Sequence, residues 1–171
     1  ARPAPRVRTG FAGRLPINDL YQQELPADEV VVCIDEKTGI QALGLPKGYP
    51  YGGRRAGGKG YPARIDQHYK RHGSRSLVAA VDPASGKLLH SAHYPPKGFK
   101  SQDMVAFLKA LAAKYPHIRR FHGVWDNGST HVSKETRAFL SSPEGKRFVV
   151  LHTPAHASWL NLCENFFSRF S

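Results

Sequence analysis

Glu29-Val30-Val31-Val32-Cys33-Ile34-Asp35-Glu36-Lys37 is the stretch that sets the architecture. The run from Val30 to Ile34 is apolar throughout and rich in β-branched side chains, which predicts a strand. It does not alternate with polar residues, so both faces must be buried, as in the centre of a sheet. The run stops at Asp35, so a carboxylate stands where the predicted strand ends.

Working outward, Ser76–Val81 predicts a second strand, Asp82-Pro83-Ala84-Ser85-Gly86 a turn, and Lys87–Tyr94 the return strand. Met104, Phe107, Leu108 and Leu111 recur at i, i+3, i+4 and i+7, which predicts a helix with Ser101 as its cap and Pro116 as its stop. Phe121–Trp125 reads as a strand ending in Asp126-Asn127-Gly128-Ser129-Thr130-His131. Ser133–Leu140 reads as a short helix and Phe148–Leu151 as another strand. The segment from Leu151 to Phe167 reads as a strand exit, a turn through Pro154, and a helix capped by Ser158. On that helix Trp159, Cys163, Phe166 and Phe170 share one face, and Glu164 lies at its edge.

A strand, a hairpin, and then alternating helices and strands give an α/β mixed sheet flanked by helices. That order is the ribonuclease-H-like arrangement. Residues 1–27, rich in Pro, Gly and Arg, read as an arm or linker, and residues 28–171 as the domain. The chain is expected to be a fragment of something longer.

Composition narrows the partner. Twenty-five Lys and Arg against 13 Asp and Glu give a formal charge of +12 and an expectation of nucleic acid. No run of about 18 apolar residues predicts a membrane span, and the N-terminus lacks a signal-peptide core. Cys33 and Cys163 each sit in an apolar run, which predicts reduced, buried thiols and a cytoplasmic, nucleoid-associated location. The cations cluster between residues 45 and 75, in a Gly- and Tyr-rich basic loop. Arg54, Arg55, Lys59, Arg64, Lys70, Arg71, His72 and Arg75 are the candidate DNA contacts. Gly53, Gly58 and Lys59 come near a phosphate-binding loop, but Gly60 stands where Ser or Thr should be and no strand precedes it.

Asp35 and Asp126 each end a predicted strand, and Glu164 comes from the helix after the next one. In α/β sheets ligands bind beyond the carboxyl ends of parallel strands. Three acids gathered there would repel one another unless a hard cation, Mg²⁺ or Mn²⁺, sat between them. Two such ions can activate water and stabilise the leaving oxygen of a phosphodiester.

Four blocks, in order, resemble a known family. Cys33-Ile34-Asp35-Glu36-Lys37-Thr38-Gly39-Ile40-Gln41-Ala42-Leu43 resembles the first catalytic block of bacterial insertion-sequence transposases of the mariner superfamily. Tyr69-Lys70-Arg71-His72-Gly73-Ser74 resembles the block before their second strand, and Trp125-Asp126-Asn127-Gly128-Ser129-Thr130-His131 their second catalytic block. His152-Thr153-Pro154-Ala155-His156-Ala157-Ser158-Trp159-Leu160-Asn161 through Glu164 resembles the third. The resemblance implies a DDE triad of Asp35, Asp126 and Glu164, two divalent metals, cleavage at element ends and strand transfer into a TA target. It also implies duplex DNA and a homodimer on it. The family carries helix-turn-helix modules ahead of this domain, and none is read here. The alternatives are a related metal-dependent nuclease, acting on junctions or RNA–DNA hybrids, and a catalytically retired DNA-binding protein of transposon origin.

Other readings stay open. His152, His156 and Cys163 admit a zinc site, opposed by Pro154 and the lack of a fourth ligand. His131 either orients a carboxylate or merely opens a helix. Asn161 steadies Glu164, contacts DNA or caps. Glu36 is an accessory acid or an ion-pair partner.

Overall fold

The computed structural model describes residues 17–44, 70–95, 98–154 and 157–168. Among them, five strands form one sheet in the order β3-β2-β1-β4-β5. The strands are β1 (Glu29–Gly44), β2 (Lys70–Asp82), β3 (Lys87–Tyr94), β4 (Arg120–Trp125) and β5 (Phe148–His152). β1 runs antiparallel to β2 and parallel to β4, and β4 runs parallel to β5. The sheet is mixed, and β1 is its central strand, as its unbroken apolar run requires.

The run splits by strand parity. Val32 and Ile34 enter one core with Val78 and Ala80 of β2 and Phe121 and Trp125 of β4. Val31 and Cys33 enter a second core with Ala79, Val81, Val124 and Leu151. The first core is roofed by α2 (Ser101–Lys114) and α3 (Lys134–Ser141); the second by α1 (Ile17–Gln22) and α4 (Cys163–Phe167).

α2 buries the predicted Met104, Phe107, Leu108 and Leu111. Its cap is Lys100, not Ser101: the Lys100 amide donates to Asp103 Oδ2 at 2.9 Å, the half of a capping box in which a first-turn acid reaches back to the cap residue's amide. Its orphaned C-terminal carbonyls are taken by Arg147, which donates to Ala112 O at 3.2 Å and Tyr115 O at 2.7 Å. The same guanidinium lies 5.3 Å from the centre of the Phe121 ring. Gly123 has its own packing reason. A Cβ there would stand 2.2 Å from the indole of Trp125, which folds back over its own strand.

Two expectations are corrected. Residues 17–22, assigned to the arm, form α1, with Ile17 and Leu20 buried in the second core. The helix is too short for its apolar positions to show a period. Lys70, Arg71, His72 and Arg75, read as part of a loop, lie on β2, whose pairing with β1 continues to Gly44 opposite Lys70. Backbone pairing carries these polar residues into the ladder although they offer no apolar pattern. Arg54, Arg55, Lys59 and Arg64 lie outside the described residues.

Candidate active site

The site is built where the parallel part of the sheet ends. The last parallel pair between β1 and β4 is Cys33 with Val124. Asp35 and Asp126 are each two residues further along, so they stand at equivalent heights on neighbouring strands. Asp126 follows the end of β4, as expected. Asp35 does not end its strand; it lies inside β1, opposite Ala79 of β2. β1 outruns β4 because the β1–β2 ladder continues without it. Asp35 therefore sits at the carboxyl edge of the parallel pair while its backbone is held from the β2 side.

The surroundings of the two acids push their ionisation apart. Asp35 is raised to about 6, first by burial and then by the charges of Asp126 and Glu164, against the Glu36 amide, which donates to Oδ1 at 2.8 Å. Asp126 is held below the usual carboxylate range, first by His131 and also by the Gly128 amide. His131 Nδ1 lies 2.6 Å from Asp126 Oδ1. A carboxylate only accepts, so Nδ1 carries the proton. The imidazole is 6 % exposed, which fixes it as the rotational stop for Asp126. Gly128 N–H reaches the same oxygen at 2.9 Å, and a Cβ on residue 128 would also stand 2.9 Å from it, so a side chain there would push this oxygen from its place.

The β4–β5 edge is laced shut around Asp126. His152 Nδ1 donates to the Asp126 carbonyl at 3.0 Å, Asn127 Nδ2 to Thr153 O at 3.0 Å, and the Thr153 amide to Trp125 O at 3.0 Å. Of the two histidines weighed for zinc, His152 thus serves the backbone of Asp126, and His156 lies outside the described residues. Cys163 is a buried free thiol bonded to the Ala79 carbonyl at 3.6 Å.

The third acid arrives differently from expectation. A 3-10 turn over Ser158–Leu160 precedes the helix, and α4 begins only at Cys163. Trp159, expected on the packed face, is 68 % exposed. The cap position is Leu162, and the polar groups that meet the first amides of α4 come from Asn161. Asn161 Oδ1 accepts from the Cys163 amide at 3.3 Å, and its carbonyl from the Glu164 amide at 3.1 Å. Asn161 Nδ2 donates to the Ile34 carbonyl at 2.9 Å, one residue before Asp35. This buried side chain ties the Glu164 helix to the Asp35 strand, so Asn161 steadies Glu164 through the backbone. Glu164 itself is exposed in the first turn of α4, and its charge is felt by Asp35.

The three acids thus come from β1, the end of β4 and α4. Among the described residues, no three His, Cys, Asp or Glu side chains are gathered tightly enough to hold a metal as they stand. Among the described residues, a hollow of about 600 Å³ is lined by α2 and α3 residues including Gln102, Lys109 and Glu135, away from the three acids. Sequence reasoning missed Tyr21. Its hydroxyl donates to Leu160 O at 2.5 Å and lies 3.2 Å from Cys33 Sγ. The only trace in the sequence is the short amphipathic Ile17-Asn18-Asp19-Leu20-Tyr21.

Comparison with known proteins bears on the family and the fold. A model of the DDE superfamily endonuclease family matches residues 30–171. No curated protein matches the chain. Among solved structures, the catalytic domain of Mos1 mariner transposase is 13% identical with a TM-score of 0.58, over 90% of this chain and 63% of that one. The Mos1 mariner paired end complex with Mn is 18% identical with a TM-score of 0.57, over 90% of this chain and 44% of that one. A pre-cleavage Mos1 transpososome is 16% identical with a TM-score of 0.56, over 98% and 53%. These likenesses show a shared ribonuclease-H-like fold, and the chain spans between 44% and 63% of the length of these three chains. With the family model running unbroken from Val30 in the central strand to the end of the chain, the chain belongs to the DDE superfamily endonuclease family.

Proposed function

We propose that this chain is the catalytic domain of a mariner-like DNA transposase, with Asp35, Asp126 and Glu164 as its acidic triad. The observation that carries the reading is the placement of Asp35 and Asp126 in register at the end of the β1–β4 pair, with the charges of both Asp126 and Glu164 acting on Asp35.

The donor set fits a divalent cation by its chemistry. All three groups are carboxylates, the oxygen donors that hard ions prefer, and their mutual repulsion is what a cation would relieve. Mg²⁺ is commonly held by one or two carboxylates plus substrate phosphate, so an unclosed triad is compatible with it. Asp35, Asp126 and Glu164 would hold the metal, Mg²⁺ or Mn²⁺. Bound there, it would supply Lewis-acid stabilisation of the phosphodiester and a more acidic water.

The chain's own residues do the positioning. His131 and the Gly128 amide fix Asp126 Oδ1, and no hydrogen bond is seen to Oδ2 among the described residues, so that oxygen is left for ligation. Partial burial keeps the Asp35 carboxylate more basic than an ordinary one, so a cation held there would compete with a proton in mildly acid solution. Lys70, Arg71, His72 and Arg75 of β2 are the described members of the DNA-contact set, and all four are exposed. With Arg54, Arg55, Lys59 and Arg64, they would grip phosphates without reading bases. Cleavage at element ends, transfer of the freed 3′-hydroxyl into a TA target, and a homodimer on the DNA are the finer parts of the proposal.

The test is a nicking and strand-transfer assay of the chain on duplex DNA carrying element ends, with Mg²⁺ or Mn²⁺. Metal-dependent nicking lost in Asp126→Asn is expected. Nicking without joining points to a plain nuclease. DNA binding without any metal-dependent cutting points to a retired DNA-binding protein.

A further inference from the structure

We infer that Tyr21 is a positioning residue for Glu164, and that α1 thereby couples the segment ahead of the sheet to the third acid of the site. The inference rests on the proposed catalytic role of Glu164.

α4 needs outside support. It has five residues, its cap residue Leu162 offers no side-chain bond, and so short a helix does not hold itself in water. Cys163 and Phe167 pack into the second core and fix its inner face. Its approach is fixed by two polar ties on adjacent residues. One is Asn161, through Nδ2 to the Ile34 carbonyl. The other is the Leu160 carbonyl, held by the hydroxyl of Tyr21 across 139 residues of sequence.

The bonding assigns the protons. A phenol has one O–H, and it goes to Leu160 O at 2.5 Å. The contact with Cys33 Sγ at 3.2 Å is therefore made by the thiol as donor. Burial pushes both the phenol and the thiol up, so neither ionises near neutral pH and the arrangement is constant there. Cys33 lies two residues before Asp35, and Leu160 four before Glu164. One hydroxyl thus sets the distance between the strand that carries the first acid and the turn that delivers the third. Ile17 and Leu20 dock α1 beneath it, against β1, β2 and α4.

Tyr21→Phe keeps the ring and removes the tie. In the full chain it should raise the Mg²⁺ or Mn²⁺ concentration for half-maximal nicking about five-fold, the worth of one net hydrogen bond. DNA affinity should be unchanged. Amide hydrogen exchange in the metal-free protein should quicken at residues 160–164 and stay constant across β4. Phe139→Leu, in the other core, is the control for stability alone. It should lower the melting temperature without moving the metal dependence. Unchanged exchange at 160–164 together with unchanged metal dependence in Tyr21→Phe would overturn the inference, as would a loss confined to melting temperature. If the wild-type chain itself does not nick, the catalytic reading has failed, and the exchange measurement alone decides whether Tyr21 orders α4.

Discussion

The two faces of the sheet are built on different terms. One is roofed by α2 and α3, helices of 14 and 8 residues, over a core that includes Phe107, Phe121, Trp125, Phe139 and Phe148. The other is roofed by α1 and α4, of six and five residues, over smaller side chains such as Val31, Cys33, Ala79 and Val81. The first face is secured by apolar area and by the Arg147 cap. The second is secured by single polar ties, through Tyr21, Asn161 and the Cys163 thiol. The three acids of the proposed triad lie at the edge served by the second. Stability and site geometry therefore reside on opposite sides of one sheet, and substitutions should separate them.

The largest separation is expected at Glu164. Its side chain is exposed, so Glu164→Gln should leave the melting temperature within about a degree, as surface changes usually do. DNA affinity should hold, because phosphate contacts come from Lys and Arg. Nicking should fall by orders of magnitude as a charged ligand is lost. A thermal melt, a binding curve and a nicking assay decide it. Near-normal nicking would make Glu164 a surface residue and turn attention to Glu36.

The reverse separation belongs to Phe107, which is 2 % exposed in the first core. Phe107→Ala should cost about 3–5 kcal/mol of stability, measurable by denaturant unfolding. At a temperature where the variant remains folded, its nicking rate per folded molecule should stay near that of the wild type. A large loss there would show that the two faces are not independent.

Asp35 sharpens the comparison, since its burial costs stability for the sake of the site. Its folded pKa, about 6, lies above the ordinary 3.8. A raised carboxylate favours the folded state while protonated, and that advantage fades as pH rises through about 6. Asp35→Asn should therefore melt above the wild type at pH 7.5, by at most about 3 kcal/mol. The gain should shrink between about pH 6 and 4 and vanish below. Melts across that range are the check; a pH-independent difference would mean the site does not strain Asp35.

Much of this was legible from local pattern. The unbroken Val30–Ile34 run marked the central strand, and the Met104–Leu111 spacing marked α2, because burial on both faces or on one stripe leaves a period. Asp126 was legible because the apolar run of β4 stops at it. The exposed Trp159 shows where the pattern misled. Apolar spacing suggested a helix through it, yet Asn161, with one side chain on β1 and its backbone on Glu164, starts the helix later.

The sequence by itself determined the order of the elements, the basic character of the chain and which carboxylates to suspect. These follow from side-chain chemistry and from periodicities of two and 3.6 residues, and both are local. Only the tertiary structure decided that Asp35 lies inside β1 rather than at its end, since that depends on how far β2 pairs beyond β4. It alone decided that His131 clamps Asp126, that Asn161 bridges α4 to β1, and that Tyr21 reaches Leu160. Each of these rests on hydrogen bonds between particular groups that the fold brings together, five residues apart for His131 and more than a hundred for Asn161 and Tyr21, and such single bonds leave no period in the chain that makes them.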